Sequence, residues 1–295
     1  MGRSSCRRRA HDSGRALAVT SSDRVRLGAV GYLNAVPLVY GLERSPRFDV
    51  RYDIPSECAR LLHENAIDVG LIPSIEYLRG GPYRIVPDLA IASAGPVASV
   101  AIFTRRPMAD VRSIAMDTSS RTSVALTRVL CARLFEIEPR FEPRGPDLDD
   151  MLRHCDAALL IGDNALFLDA GDVRRKPEAT NETARGIEKI DLGHAWKKLT
   201  GLPFVYAFWA GRPSALTAAD VEALQRARDA GIGRPEELAR EYVGPNPERQ
   251  AIGARYLRDN IKYYLGDDEQ AGLEAFFRYA AEAGVVERTA APQFY

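Results

Sequence analysis

From Val25 onward, short apolar runs alternate with amphipathic stretches. The run VRLGAV (25–30) predicts a buried strand, and the chain then enters a helix over 37–44 opened by Pro37. A strand around Phe48–Ile54 precedes a helix predicted from Ser56, read as N-cap with Glu57 in its first turn, through Leu62. The run Asp68–Ile72 predicts a strand closed by Pro73-Ser74, and a short helix reaches Leu78 before Gly80-Gly81. Apolar strands alternating with helices imply βαβ units and a mainly parallel sheet, so the fold class is α/β.

Two segments interrupt this alternation and resemble each other: Val97–Phe103 running into Arg105-Arg106-Pro107, and Phe204–Ala210 running into Gly211-Arg212-Pro213. Between them a second series begins, with strands at 113–117, near 140–142 and at 157–161, and with helices from Thr122 and over 148–154. Beyond the second segment the chain is nearly all helical. The expected architecture is therefore two α/β lobes, the second inserted into the first. Residues 25–105 with 205–295 form lobe 1, residues 106–204 form lobe 2, and the two long segments are paired crossing strands. The helices after Thr217 are expected on lobe 1. A cleft between the lobes follows, and ligands of such folds sit at the carboxyl ends of strands.

Composition narrows the class. With 46% hydrophobic and 27% charged residues in a chain of 295, it is a globular protein with room for two domains. Forty Lys plus Arg balance forty Asp plus Glu, so no net field draws the chain to nucleic acid or an anionic membrane. Cys6, Cys58, Cys131 and Cys155 lie far apart with no CxxC, which fits neither a disulfide framework nor a zinc site and suits a reducing cytosol. Neither a metal nor an organic cofactor is expected. No apolar run approaches the roughly 18 residues of a membrane span. Residues 1–24 are rich in Arg and Ser, lack the apolar core of a secretory signal, and are expected to be a disordered extension. A cytoplasmic location follows as an expectation.

Several short stretches fall at strand ends that a cleft would collect. They are Tyr32-Leu33-Asn34, Pro73-Ser74, Gly95-Pro96-Val97-Ala98-Ser99, Asp117-Thr118-Ser119-Ser120-Arg121-Thr122-Ser123 and Gly162-Asp163-Asn164. Hydroxyls and backbone N–H groups at a helix start suit a carboxylate, which makes Ser120, Arg121, Thr122 and Ser123 candidate anion ligands. The competing reading is an elaborate N-cap. Asn34 is either a ligand-binding amide or a strand-end side chain bonded to its own backbone. Gly162-Asp163 is either a turn or a cleft-facing acid. The sequence has no GxGxxG, GxxxxGK[ST] or GxSxG, so nucleotide and serine-hydrolase readings lack support. His63 and His154 fall late in helices, where cap or surface roles are favoured, and Trp196 and Trp209 read as packing residues. His194 is harder to place.

GYLNAVPL, DVGLIPSIEYL, GPVASVAIF, TSSRTSVALTRVL, ALLIGDNAL, DLGHAWKKLTGLPFVYAFWAGR and NIKYYLG occur in this order. Together they resemble the MqnA family, the chorismate dehydratases of the futalosine route to menaquinone, over residues 25 to about 285. The resemblance implies a type II periplasmic-binding-protein-like fold with an interlobe cleft. It also implies a lyase converting chorismate to 3-[(1-carboxyvinyl)oxy]benzoate and water. The sister family of the pathway opens with a Cys-Pro-Asn-Asp-type strand end, where this chain has Tyr32-Leu33-Asn34.

Loss of a hydrogen and the neighbouring hydroxyl aromatises the chorismate ring, so the site needs donors for two carboxylates, a proton acceptor and help for the departing hydroxide. On this reading Asn34, Ser99 and Asp163 are the catalytic candidates. Leu33, Pro73, Ser74, Gly95, Ser120, Arg121, Thr122, Ser123 and Gly162 are the substrate-binding candidates. The acceptor is either the substrate's own enolpyruvyl carboxylate or Asp163. The alternative class is a non-catalytic cytosolic binder or sensor of a small carboxylate.

Overall fold

The computed structural model describes residues 24–168 and 186–295. The expectation of a disordered extension therefore falls, apart from Arg24, outside the described residues. Eleven strands are described: β1 Val25–Val30, β2 Phe48–Asp53, β3 Val69–Pro73, β4 Arg84–Ile85, β5 Ile91–Ser93, β6 Val100–Thr104, β7 Ser113–Asp117, β8 Arg140–Arg144, β9 Ala157–Ile161, β10 Glu188–Asp191 and β11 Phe204–Gly211. The α-helices are α1 Val36–Val39, α2 Pro55–His63, α3 Arg121–Leu130, α4 Leu148–His154, α5 Asp163–Leu166, α6 Leu192–Thr200, α7 Ala218–Ile232, α8 Pro235–Val243, α9 Pro247–Arg255 and α10 Asp267–Glu282.

The strands form two sheets. The first runs β2-β1-β3-β11-β4, with β5 also paired to β11; the second runs β10-β6-β9-β7-β8. In the first sheet β1 is parallel to β2 and β3, while β11 is antiparallel to β3. All eight residues of β11 are buried, as a strand covered on both faces requires. β1 buries every position except Arg26, whose guanidinium reaches Asp68 at 2.7 Å.

One expectation is corrected here. Val97–Phe103 and Phe204–Ala210 are not paired crossing strands. The first contributes β6, which lies in the second sheet between β9 and β10; the second contributes β11, in the middle of the first sheet. The passage from lobe 1 to lobe 2 occupies the residues between β5 and β6. Pro96 has no N–H to give a ladder, and Ala98 takes a left-handed φ of 64°, so no strand runs through this segment. We place the lobe boundaries here and around α6, rather than at residues 105 and 205.

Local chemistry sets the helix starts. α2 begins at Pro55 after an extended Ile54, which is the N-cap position and offers no side-chain bond, so Ser56 is not the cap; Pro55 starts the helix with one fewer N–H to satisfy. The helix expected over 37–44 is broken at Gly41, whose φ of 77° ends α1. The helices beyond Thr217 lie against lobe 1. Thr217 caps α7 in a capping box with Asp220, and Arg47 of the first lobe grips Asp220 at 2.8 Å. Gly231 of α7 packs against the Pro37 backbone, and Phe276 of α10 meets Phe204 with ring centroids 4.8 Å apart. Trp196 and Trp209 are both fully buried, in keeping with packing roles.

Candidate active site between the lobes

A pocket lies where the strand ends of both sheets converge. It is narrow inside and opens to solvent, with about 480 Å³ of empty space when the open mouth is counted. Its wall takes Tyr32 and Asn34 from the end of β1, Pro73 from β3, Val97 and Ser99 from the crossing, Ser120 and Ser123 from α3, Gly162 after β9, and Tyr206 from β11. No charged side chain is among the residues lining it. An anion held here depends on hydroxyls, amides and backbone N–H groups.

Asn34 follows β1 on a 3-10 turn, Leu33–Ala35. It does not bond its own backbone. Its Oδ1 is buried without a hydrogen-bond partner, while the rest of the amide approaches the Tyr256 hydroxyl as a donor. A buried carbonyl oxygen with no partner costs about 1–3 kcal/mol, which a ligand donor would offset. Ser99 meets the same phenol, with its Oγ 2.6 Å from the Tyr256 oxygen. Tyr256 is itself buried, which raises its pKa; its contacts with Ser99 and Asn34 act in the opposite direction.

The start of α3 divides into two faces. Ser120 is the N-cap and accepts from the Ser123 N–H at 3.4 Å and the Ser123 hydroxyl at 3.0 Å, so its own proton is left to point into the pocket. Thr122 faces elsewhere. Its Oγ1 accepts the N–H of Ile75 at 3.1 Å and lies 3.3 Å from Ser74 Oγ, whose proton goes to the Val205 carbonyl at 2.8 Å. Thr122 and Ser74 therefore tie the lobes together and do not line the pocket. Arg121 also turns away, pairing with the buried Glu76 of lobe 1 at 2.7 Å. A residue's place on a helix decides its direction: 120 and 123 share one face, while 121 and 122 point off it.

Asp163 opens α5 and bridges the lobes. Its Oδ1 accepts the Leu33 N–H at 3.3 Å, and its Oδ2 accepts the Tyr242 hydroxyl, which also lies 2.8 Å from the Gly31 carbonyl. Burial raises the Asp163 pKa above the ordinary carboxylate value, outweighing the two donors that lower it. The pocket wall at this point is Gly162 and not the Asp163 side chain. Gly162 has φ 60° and ψ −142°, and a Cβ there would sit 3.1 Å from the Tyr32 ring. Leu33 is buried beneath the pocket and contributes its N–H to Asp163. Gly95 stands at the crossing, where its carbonyl accepts the Ser93 hydroxyl at 3.0 Å.

Thus Asn34, Ser99, Ser120, Ser123, Pro73 and Gly162 meet in one pocket, whereas Thr122, Ser74, Arg121, Asp163 and Leu33 form the joints between lobes. His194 is in the first turn of α6, its N–H capped by Asp191 at 3.0 Å, and it does not line the pocket. Four tyrosines were missed. Tyr32 lines the pocket, and its burial raises the phenol pKa. Tyr206 reaches Ser93 at 3.1 Å, and burial pushes its pKa well above the ordinary value. Tyr242 and Tyr256 come from the distant helical segment. Tyr32 lay inside a stretch singled out at a strand end and Tyr206 inside the run Phe204–Ala210, but neither was named as a site residue. Among the described residues no three His, Cys, Asp or Glu side chains are placed to hold a metal ion, and no helix is long and apolar enough to cross a membrane.

Residues 25–282 match a family model described as menaquinone biosynthesis. A curated relative from Thermus thermophilus, named chorismate dehydratase, is 34% identical over 278 residues, spanning 91% of this chain and 97% of that protein. Another of the same name from Campylobacter jejuni is 29% identical over 260 residues, 85% of this chain and 95% of its own. Among solved structures, a Candida albicans protein described as having the generic periplasmic binding protein fold aligns with TM-score 0.59. It is 13% identical, covering 90% of this chain and 92% of that one. The two-lobed arrangement is thus a periplasmic-binding-protein-like fold.

Proposed function

The chain belongs to the menaquinone-biosynthesis family, and we propose that it is a chorismate dehydratase, a hydro-lyase releasing water and 3-[(1-carboxyvinyl)oxy]benzoate. The observation that carries this reading is the pairing of a buried, unpartnered Asn34 Oδ1 with Ser99 in an uncharged pocket. One ring hydroxyl can donate to the first and accept from the second.

The ring carboxylate is held at the start of α3, where the Ser120 hydroxyl and the first-turn N–H groups supply donors and the helix dipole favours negative charge. As the neighbouring C–H bond breaks, its electron pair enters the ring system and charge grows on this carboxylate, so donors placed beforehand stabilise the transition state. The C–O bond then breaks, and the departing hydroxide becomes water by taking up the proton removed from carbon, handed on by its acceptor. The abstracted proton goes to the substrate's enolpyruvyl carboxylate. Two features favour this acceptor over Asp163: both Asp163 oxygens already accept donors from lobe 1, and its side chain does not line the pocket. The protein supplies alignment, which in itself is worth several orders of magnitude in rate.

A cytoplasmic location is part of this reading; the free thiols Cys58, Cys131 and Cys155 are compatible with a reducing compartment. Incubating the purified protein with chorismate and following the aromatic product by absorbance and mass tests the reading. Turnover without added metal or cofactor is the expected result. Saturable binding of chorismate with no product would make the protein a carboxylate binder and overturn the dehydratase assignment.

A further inference from the structure

The departing hydroxyl needs both a donor and an acceptor, and the protein has to keep each of them from turning the other way. An amide and a serine hydroxyl are ambiguous groups: Asn34 can present oxygen or nitrogen to the pocket, and Ser99 can rotate its proton. What removes the ambiguity lies behind them. Tyr256 is buried, 1% exposed, with its hydroxyl 2.6 Å from Ser99 Oγ and approached by the Asn34 amide as donor. Ser99 Oγ has no other hydrogen-bond partner among the described residues.

We propose that Tyr256 is the positioning residue of the leaving-group site. Its oxygen accepts the Asn34 amide N–H, its proton is donated to Ser99, and the pocket is thereby left with one fixed acceptor, Asn34 Oδ1, and one fixed donor, the Ser99 hydroxyl. This inference rests on the chorismate reading above and specifies which part of that substrate the network recognises: the ring hydroxyl, absent from the aromatic product. Hydrogen bonds in a chain polarise one another, so the Ser99 proton is a better donor to developing hydroxide than an isolated serine would be. Burial disfavours the tyrosinate, so the phenol keeps its proton throughout and acts through Ser99.

The local backbone supports a dedicated placement. Tyr256 opens a π-helical turn, Tyr256–Asn260, in which α9 widens before Ile261. Such turns occur often at functional sites. The end of the same turn is fixed to the crossing segment, since the Asn260 amide donates to the Pro96 carbonyl at 2.9 Å. The crossing that carries Ser99 and the turn that carries Tyr256 are therefore held in register from both ends.

The test is Tyr256→Phe, which keeps the ring and deletes only the hydroxyl, with Ser99→Ala and the double variant alongside. Turnover of chorismate, affinity for the aromatic product and Tm are measured for each. Tyr256→Phe is expected to lower kcat on the order of 100-fold, the cost of a misdirected donor at a developing oxyanion, with KM, product affinity and Tm held near wild type. The double variant is expected to be no slower than Ser99→Ala, because both changes cut one chain. Unchanged kcat in an active Tyr256→Phe enzyme overturns the inference while leaving the dehydratase reading intact. A parallel loss of product affinity and Tm overturns it too, by making Tyr256 a packing residue. Wild-type protein that leaves chorismate unconverted overturns both. Should Tyr256→Phe fail to fold, the wild-type kcat in Ser99→Ala would equally overturn it.

Discussion

Arg121 of the second lobe places its Nη1 2.7 Å from Oε2 of Glu76, a carboxylate buried in the first. Glu76 also meets His63 Nε2 at 3.1 Å and Arg79 Nη1 at 2.9 Å, and the three together hold its pKa below the ordinary value although burial acts to raise it. A native pKa below that of the unfolded chain contributes stability that is complete above the unfolded value, about 4.3, and is lost as pH falls through the native value. Glu76→Gln should therefore lower stability at neutral pH by about 1.5–3 kcal/mol and flatten the acid limb of the Tm–pH curve. Thermal melts between pH 3 and pH 7 would check this (on the order of the carboxylate range). An unaltered acid limb would remove Glu76 from the account.

Thr122 and Ser123 are neighbours in sequence with opposite duties. Thr122→Val leaves the Ile75 N–H buried without a partner, so it should cost about 1–3 kcal/mol in stability with KM little changed. Ser123→Ala, which opens the pocket wall, should weaken binding of a non-reactive dicarboxylate analogue with a smaller effect on Tm. Calorimetric titration and melting curves on both variants would expose a reversed pattern, which would put Thr122 on the substrate.

Asp163 carries the opposite sign from Glu76. Its native pKa is raised, chiefly by burial, so the native state keeps the proton to higher pH than the unfolded chain does. That contribution is complete below the unfolded value, about 3.9, and disappears as pH rises through the native one. Asp163→Asn removes the charge whose burial is costly, keeps an oxygen for the Leu33 N–H, and turns an amide donor toward the Tyr242 oxygen, whose proton can go to the Gly31 carbonyl instead. The variant is expected to melt no lower than wild type at pH 7 (roughly neutral, well above the unfolded carboxylate value) and to turn over within about tenfold of it. A fall of roughly 100- to 10,000-fold in kcat would instead make Asp163 the acid–base group.

Gly162 has φ 60° and ψ −142°, a backbone region that residues with a Cβ enter at a cost of about 1–3 kcal/mol. Gly162→Ala would in addition set a methyl 3.1 Å from the Tyr32 ring, in the wall of the pocket. Both Tm and kcat should fall. Gly145→Ala, where a Cβ meets nothing within 4 Å, is the matching control and should leave both unchanged.

Much of this was legible in the chain itself. The alternation of runs such as VRLGAV and AALLI with amphipathic stretches located the strands, and the position of Asn34 beyond a buried strand marked it for the cleft. Ser120 and Ser123 were visible as a hydroxyl-rich helix start. The direction of Arg121 and Thr122 was not, because it depends on how lobe 1 meets the helix and not on the motif. The crossing was misread for a similar reason. The apolar run Val97–Phe103 looks like one strand, yet the backbone at Pro96 and Ala98 confines pairing to Val100–Thr104, and only the neighbours Ala157–Ile161 and Glu188–Asp191 decide its sheet. Tyr256 had no local signal, since its part depends on a widened turn folding back from far along the chain.

The position of β11 bears on how the molecule is assembled. It lies between β3 and β4 in the first sheet, although the entire second sheet separates it in sequence from both. The strands β6 to β10 can complete their pairing from contiguous chain, whereas β3 waits for a partner more than a hundred residues away, a loop closure that slows folding. During synthesis or refolding the inserted lobe is expected to consolidate first, while the earlier-made β1, β2 and β3 stay open along one edge. Pulse-labelled hydrogen exchange should then find amides of Ala157–Ile161 protected before those of Val69–Pro73, so that the first lobe to emerge is the last to close.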